Sequence, residues 1–105
     1  MFEAIRSLFR KKNQENYPEL MGRGAQIIDV RTPGEFQSGH IHGSINIPLD
    51  TLKQNLSKIK KDRPVITCCA SGMRSLSAKS ILAANGFTEA YNGGGWARLK
   101  QKLNK

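Results

Sequence analysis

Two adjacent cysteines, Cys68 and Cys69, precede Ala70, Ser71, Gly72, Met73, Arg74 and Ser75. Three stretches meet here. Val65 to Cys68 is a β-branched apolar run, which predicts a buried strand. Cys69 to Met73 is small and contains glycine, which suits a tight loop. From Arg74 onward, Leu76, Ile81 and Leu82 alternate with alanines, which predicts a helix. A thiol between a strand and a helix N-terminus faces unpaired backbone N–H groups and the positive end of the helix dipole. Both favour the thiolate, so Cys69 is expected to be an acidic, nucleophilic cysteine. The chemistry implied is attack by sulfur on an electrophile, with Arg74 supplying a fixed positive charge.

The elements that must hold this loop read as alternating strands and helices. Tyr17 to Met21 predicts one or two helical turns, with Pro18 in the first turn and Gly22 and Gly24 ending it. Gln26 to Val30 is the first clear strand. Thr32 and Glu35 form a capping box around Pro33, opening a short helix through Phe36 that ends near Gly39. Ser44 to Ile47 is a short strand stopped by Pro48. Leu52, Leu56 and Ile59 recur at helical spacing over Thr51 to Ile59, with Asp50 as the expected cap. Asn85-Gly86 closes the helix after the cysteine loop. Phe87 to Tyr91 has strand character, Asn92-Gly93-Gly94-Gly95-Trp96 is a turn, and Ala97 to Leu103 is a closing helix. This alternation predicts an α/β fold: a mostly parallel sheet with helices on both faces. Sites in such sheets gather at the carboxyl ends of strands, where Cys69 falls.

The 105 residues fit one domain, and 38% hydrophobic content supports one modest core. Residues 15–105 read as that domain. Residues 1–14 read as an amphipathic helical extension, with Phe2, Ile5, Leu8 and Phe9 on the face that docks on the domain, a membrane surface or a partner. Two neighbouring cysteines are no disulfide framework, so a reducing cytoplasm is expected. No secretory signal or membrane span is read. The net charge is +9. Basic residues cluster at Arg10 to Lys12, Lys58 to Arg63 and Arg98 to Lys105. They serve as solvated faces, or they steer anionic substrates and acidic partners. No cluster interleaves aromatics, which argues against nucleic acid.

Four segments in order carry a family likeness. They are Ile28-Asp-Val-Arg-Thr-Pro-Gly-Glu-Phe36, Gly39-His-Ile-His-Gly-Ser-Ile-Asn-Ile-Pro48, Cys69-Ala-Ser-Gly-Met-Arg74 and Asn92-Gly-Gly-Gly-Trp96. Together they resemble a single-domain rhodanese, a three-layer sulfurtransferase fold, over roughly residues 15 to 103. Ser44 stands where the family usually has alanine, and its usual first short strand is not obvious. The resemblance implies that Cys69 takes the outer sulfur of a donor such as thiosulfate and holds it as a persulfide. A thiol or cyanide acceptor, or a protein thiol, then removes it. It also implies that N–H groups from Ala70 through Ser75 converge on the sulfur. Arg74 binds the donor anion, or braces the loop through Asp29 or Glu35. Arg31 and His40 are supporting residues, His40 through an ordering hydrogen bond. By the same likeness no cofactor or metal is needed.

Other readings stay beside this one. Counted from Cys68, Arg74 completes the Cys-x5-Arg spacing of cysteine-dependent phosphatases and arsenate reductases. Gly72, three residues after Cys69, favours Cys69 instead. Cys68 is then a buried strand residue pointing away from Cys69, or a sulfur relay. His40 and His42 lack the partners of a metal site with Cys69. The glycines after Asn92 are followed by no Lys-Ser/Thr, so they permit close backbone approach to the loop rather than cradle a phosphate. Trp96 is a core or rim aromatic, or a substrate wall. Glu35 is the capping acid rather than a general acid. A non-catalytic interaction module remains the alternative to an enzyme.

Overall fold

Val65–Cys69 (β3) lies inside a four-stranded sheet, and all five of its residues are buried. The computed structural model describes residues 15–104, so the expected amphipathic extension over 1–14 lies outside the described residues. The strand order is β2 (Ile45–Asn46), β1 (Gln26–Asp29), β3, β4 (Ala90–Gly95), and every pairing is parallel. Parallel strands must be covered on both faces, and the apolar runs of β1 and β3 reflect this.

Side chains alternate between two cores. On one face Ile28, Val30, Val65 and Cys69 pack with Leu52, Ala78, Leu82 and Phe87. These last come from a 3-10 segment (Leu49–Lys58), from the helix α3 (Met73–Ala84) and from the residue after its closing turn. On the other face Ile27, Ile66 and Cys68 pack with Tyr17, Leu20 and Leu99. Those belong to α1 (Tyr17–Gly22) and α4 (Trp96–Leu103). The remaining helix, α2 (Pro33–Gln37), follows β1 and carries no buried residue. The expected sheet with helices on both faces is thus the fold observed.

Local capping works as the sequence predicts at α2, and α1 has a cap that the sequence reading did not name. Asn16 Oδ1 accepts from Glu19 N–H at 3.1 Å at the start of α1. Thr32 and Glu35 form the reciprocal capping box of α2. Over Thr51 to Ile59 the structure corrects the reading. Asp50 caps nothing. Leu49–Lys58 is 3-10 rather than α, starts at Pro48 without a side-chain cap, and breaks at Asn55 (φ −122°). Short 3-10 pieces are a common form of connector.

The last strand is Ala90–Gly95, not Phe87 to Tyr91. Phe87 turns into the core, and the triple glycine lies within the strand, Gly95 pairing with Cys69 after a register shift, instead of looping out. A Cβ on Gly93 would sit 2.6 Å from Thr67 O and 2.8 Å from both Ile66 Cγ2 and Leu99 Cδ2. Only glycine lets these backbones approach so closely. Gly93→Ala is therefore expected to cost about 3 kcal/mol, the upper end for overpacking. The thermal midpoint would fall by roughly 10–20 °C. Gly22→Ala, where nothing lies within 4 Å, should leave the melt unchanged.

Candidate active site

Cys69 is the last residue of β3, and its side chain turns to the α3 face while Cys68 turns to the α4 face. The two thiols differ as their surroundings do. Cys68 is fully buried, and burial, followed by the charge of Asp29, pushes its thiol up to about 12. Cys69 is also covered, at 1% exposure. There, burial opposes ionisation but is outweighed. The Ser75 hydroxyl and the N–H groups of Ser75, Gly72 and Ser71 hold the thiol below its ordinary value.

The loop geometry explains this. Gly72 N–H donates to Cys69 Sγ at 2.9 Å and Ser75 N–H at 3.3 Å. Gly72 has φ +112°, a conformation that a side chain would strain, and this turns its N–H back toward the sulfur. The next residue, Met73, opens α3, so the first turn of that helix supplies unpaired donors. Backbone N–H groups hydrogen-bonded to the sulfur therefore come from two positions of the expected 70–75 range, 72 and 75. Ala70 and Ser71 are exposed, Met73 stands 76% exposed at the rim, and Ser75 is fully buried.

Arg74 does not meet Asp29. It makes a two-pronged pair with Glu35, Nη1–Oε1 2.8 Å and Nη2–Oε2 3.0 Å. Glu35 thus closes the α2 capping box and tethers the cysteine loop at once. The Arg74 guanidinium, helped by Thr32, holds its carboxyl at about 2. Asp29 is taken by Arg31, with Nη2–Oδ2 2.7 Å and Nε–Oδ1 2.9 Å, and both side chains are buried. Arg31 also donates to Gly39 O at 2.6 Å and lies 4.7 Å from the Trp96 ring. Trp96 is a bracing aromatic of the α4 core. His40 Nδ1 lies 2.7 Å from Phe36 O, and its ring stacks on Phe36 at 3.7 Å. Asp29, Arg31 and His40 therefore shape the turn that presents Glu35 rather than touch the sulfur.

The expected close approach of the glycine strand is present. A Cβ on Gly72 would lie 3.7 Å from Gly94 Cα, and one on Gly95 3.0 Å from Ala70 O. A cleft of about 520 Å³ beside the loop is lined by Ala70, Ser71, Gly95, Ala97, Arg98 and Gln101. A smaller one of about 280 Å³ reaches Arg74 from Val30, Thr32 and Leu49. Among the described residues no group of three His, Cys, Asp or Glu side chains could hold a metal ion, and no helix is long and apolar enough to cross a membrane.

Three polar residues at the site were not singled out by sequence reasoning. Asn46 Nδ2 donates to the carbonyls of Asp29 and Arg31 at 3.0 and 2.9 Å. Thr67 Oγ1 donates to Ser75 O at 2.8 Å, and Asn92 Oδ1 accepts from Ser75 Oγ at 2.6 Å. Only Asn92 left a trace in the sequence, as an asparagine before glycines, a turn signal.

A strand-borne cysteine under a six-residue amide loop, braced from the β1–α2 turn, is an arrangement that comparison with known proteins can place. The sequence profile described as Rhodanese-like domain matches residues 13–102. The chain belongs to the rhodanese-like domain family. This rhodanese-like domain is 51% identical over 70 residues to the Bacillus subtilis protein YqhL, across 67% of the chain and 56% of that protein. It thus matches little more than half the length of that relative. It is 35% identical over 86 residues to a protein of Ectopseudomonas mendocina named thiosulfate sulfurtransferase GlpE, across 82% of the chain and 79% of that protein. Among solved structures it is similar to a rhodanese-like domain protein from Staphylococcus aureus. There the TM-score is 0.66 and the identity 37%, over 72% of the chain and 74% of that structure.

In the rhodanese-like domain the Glu35–Arg74 pair ties the cysteine loop to α2. Both side chains are more than a third exposed, so Glu35→Gln should alter stability little. Because folding depresses the Glu35 pKa, the pair's contribution is complete above 4.5 and fades as pH falls toward about 2. Thermal melts of the variant and the parent should therefore differ only slightly at neutral pH and coincide near that limit, while alkylation of Cys69 changes several-fold at neutral pH.

Proposed function

We propose that this domain is a rhodanese-type sulfurtransferase working through a Cys69 persulfide. The observation that carries the reading is the pair of N–H groups, Gly72 and Ser75, aimed at Cys69 Sγ at 2.9 and 3.3 Å. Donors fixed in this way hold a thiolate without reorganising, and would hold the terminal sulfur of a persulfide likewise. Relatives named thiosulfate sulfurtransferase support thiosulfate as a donor.

In the first step the Cys69 thiolate attacks the outer sulfur of thiosulfate. A new S–S bond forms at Cys69, the S–S bond of thiosulfate breaks, and sulfite leaves with the bonding pair. In the second step a thiolate or cyanide attacks the outer sulfur of the persulfide, and Cys69 leaves as thiolate. No net oxidation of the protein occurs over the cycle. Arg74, tethered by Glu35, adds a fixed positive charge that lowers the cost of bringing an anion to an anion. A persulfide donor or a protein thiol acceptor fits the same two steps. A reducing cytoplasm suits a free thiol at this position.

Intact mass after incubation with thiosulfate tests the reading. A gain of one sulfur atom, mapped by fragmentation to Cys69 and discharged by cyanide as thiocyanate, is the expected result. No gain, or a gain on Cys68, would overturn it. An aryl phosphatase activity lost on Cys68→Ala would point to the other chemistry.

A further inference from the structure

Asn92 lies in β4 opposite Thr67 of β3, beyond the six-residue loop. Its Oδ1 accepts two hydrogen bonds, from Ser75 Oγ at 2.6 Å and from Gly94 N–H at 2.9 Å. The second fixes the amide orientation, because an NH2 in that place would face an N–H donor. Its backbone carbonyl is held separately by Tyr17 OH at 3.2 Å.

The Ser75 hydroxyl is fully buried and has one proton to give. Its acceptors are Asn92 Oδ1 at 2.6 Å and Gly72 O at 3.0 Å, and the Cys69 sulfur, which as a thiol donates to it, lies 3.5 Å away. With Cys69 as a thiol, the S–H donates to Ser75 Oγ and the serine proton goes to Asn92, the shortest of the three. With Cys69 as a thiolate, the sulfur has no proton and becomes an acceptor. The serine must then leave Asn92 to serve it. An amide oxygen cannot donate, so the competition runs one way.

We infer that Asn92 is a positioning residue whose amide oxygen competes with the Cys69 sulfur for the single proton of the Ser75 hydroxyl. The consequence for turnover rests on the persulfide reading above. In the loaded state the inner sulfur is neutral, and the serine proton returns to Asn92. Asn92 thereby favours loading of sulfur and opposes over-stabilisation of the empty thiolate. The other titratable or charged groups coupled to Cys69 are Arg74 on α3 and Cys68 on β3, and the variants below leave both intact.

The test needs no sulfur donor, so it can be answered even where the persulfide reading fails. The rate of iodoacetamide alkylation of the full chain is followed against pH. Asn92→Leu is expected to raise the thiolate fraction about threefold at near-neutral pH, corresponding to about half a pH unit in the titration. Asn92→Asp, a stronger acceptor, is expected to lower it. In the Ser75→Ala background the Leu substitution should have no effect, and the Asp substitution should keep only its smaller through-space effect. An unchanged titration in folded Asn92→Leu, or an effect that persists undiminished without Ser75, overturns the inference. If Asn92→Leu fails to fold, Asn92→Asp with and without Ser75 decides by the same criterion.

Discussion

Cys69→Ser is expected to lower sulfur transfer from thiosulfate by at least about a thousandfold, the scale of losing a covalent nucleophile. A serine hydroxyl at this site neither ionises near neutral pH nor forms a persulfide. The cradle of N–H groups survives the change, since Gly72 and Ser75 can donate to oxygen as to sulfur. The variant should therefore melt close to the parent, which separates loss of chemistry from loss of fold. Cys68→Ala gives the contrast. It removes one atom from the α4 core, a cost of about 1 kcal/mol, and leaves loading intact. The pH profile adds a sign. The loop holds the Cys69 thiol below its ordinary value, so alkylation should stay fast at a pH where a free cysteine, near 8.5, is mostly protonated. Steady-state assay and thermal melts of the two variants, with alkylation of Cys68→Ala followed against pH, check these points. Full activity in Cys69→Ser would remove the foundation of the proposed mechanism.

Arg31→Leu is the second large effect, and it falls on stability. Asp29 is 0% and Arg31 5% exposed at the side chain, and they share a two-pronged pair. Removing the guanidinium leaves a carboxylate in the core with one remaining protein donor, the Arg31 backbone N–H at 3.1 Å. Breaking a buried pair from one side costs about 3–5 kcal/mol. The Gly39 carbonyl loses its donor, the Glu35 carbonyl keeps only Ser38 N–H, and Trp96 loses the cation beside its ring. A fall of more than about 15 °C in the thermal midpoint is expected for a domain of this size. The double variant Asp29→Leu with Arg31→Leu should recover part of that loss, because no charge is then left unpaired. A drop below about 1 kcal/mol in the single variant would mean that the pair is replaceable by water.

The parts legible in the sequence were those whose cause is local. The β-branched run of β3, the glycine at a left-handed position, and the Thr32–Glu35 capping box each depend on residues a few places apart. So did the opposite facing of Cys68 and Cys69, which follows from strand pleat alone. The last strand was misplaced because Gly93 is poor strand material by itself. Its place is set by Thr67, Ile66 and Leu99, which leave no room for a side chain. The partner of Arg74 stayed open between two acids until the fold gave Asp29 to Arg31, two residues away in sequence, and left Glu35, 39 residues distant, for Arg74. Asn92 was hidden for the same reason, since nothing near it in the chain announces Ser75. The failure of Asp50 as a cap is different in kind. A proline at the boundary started a tighter turn than the helical spacing suggested.

The depth of Cys69 has a bearing on how such a domain would handle its cargo. A sulfur atom delivered to a thiol that is 1% exposed is held below the surface rather than displayed on it. Stray reductants would meet the rim, where Met73 and Ser71 stand, before the freight beneath. Handing over would then require a recipient able to reach inward, and the domain would behave as a guarded depot, selective about who collects.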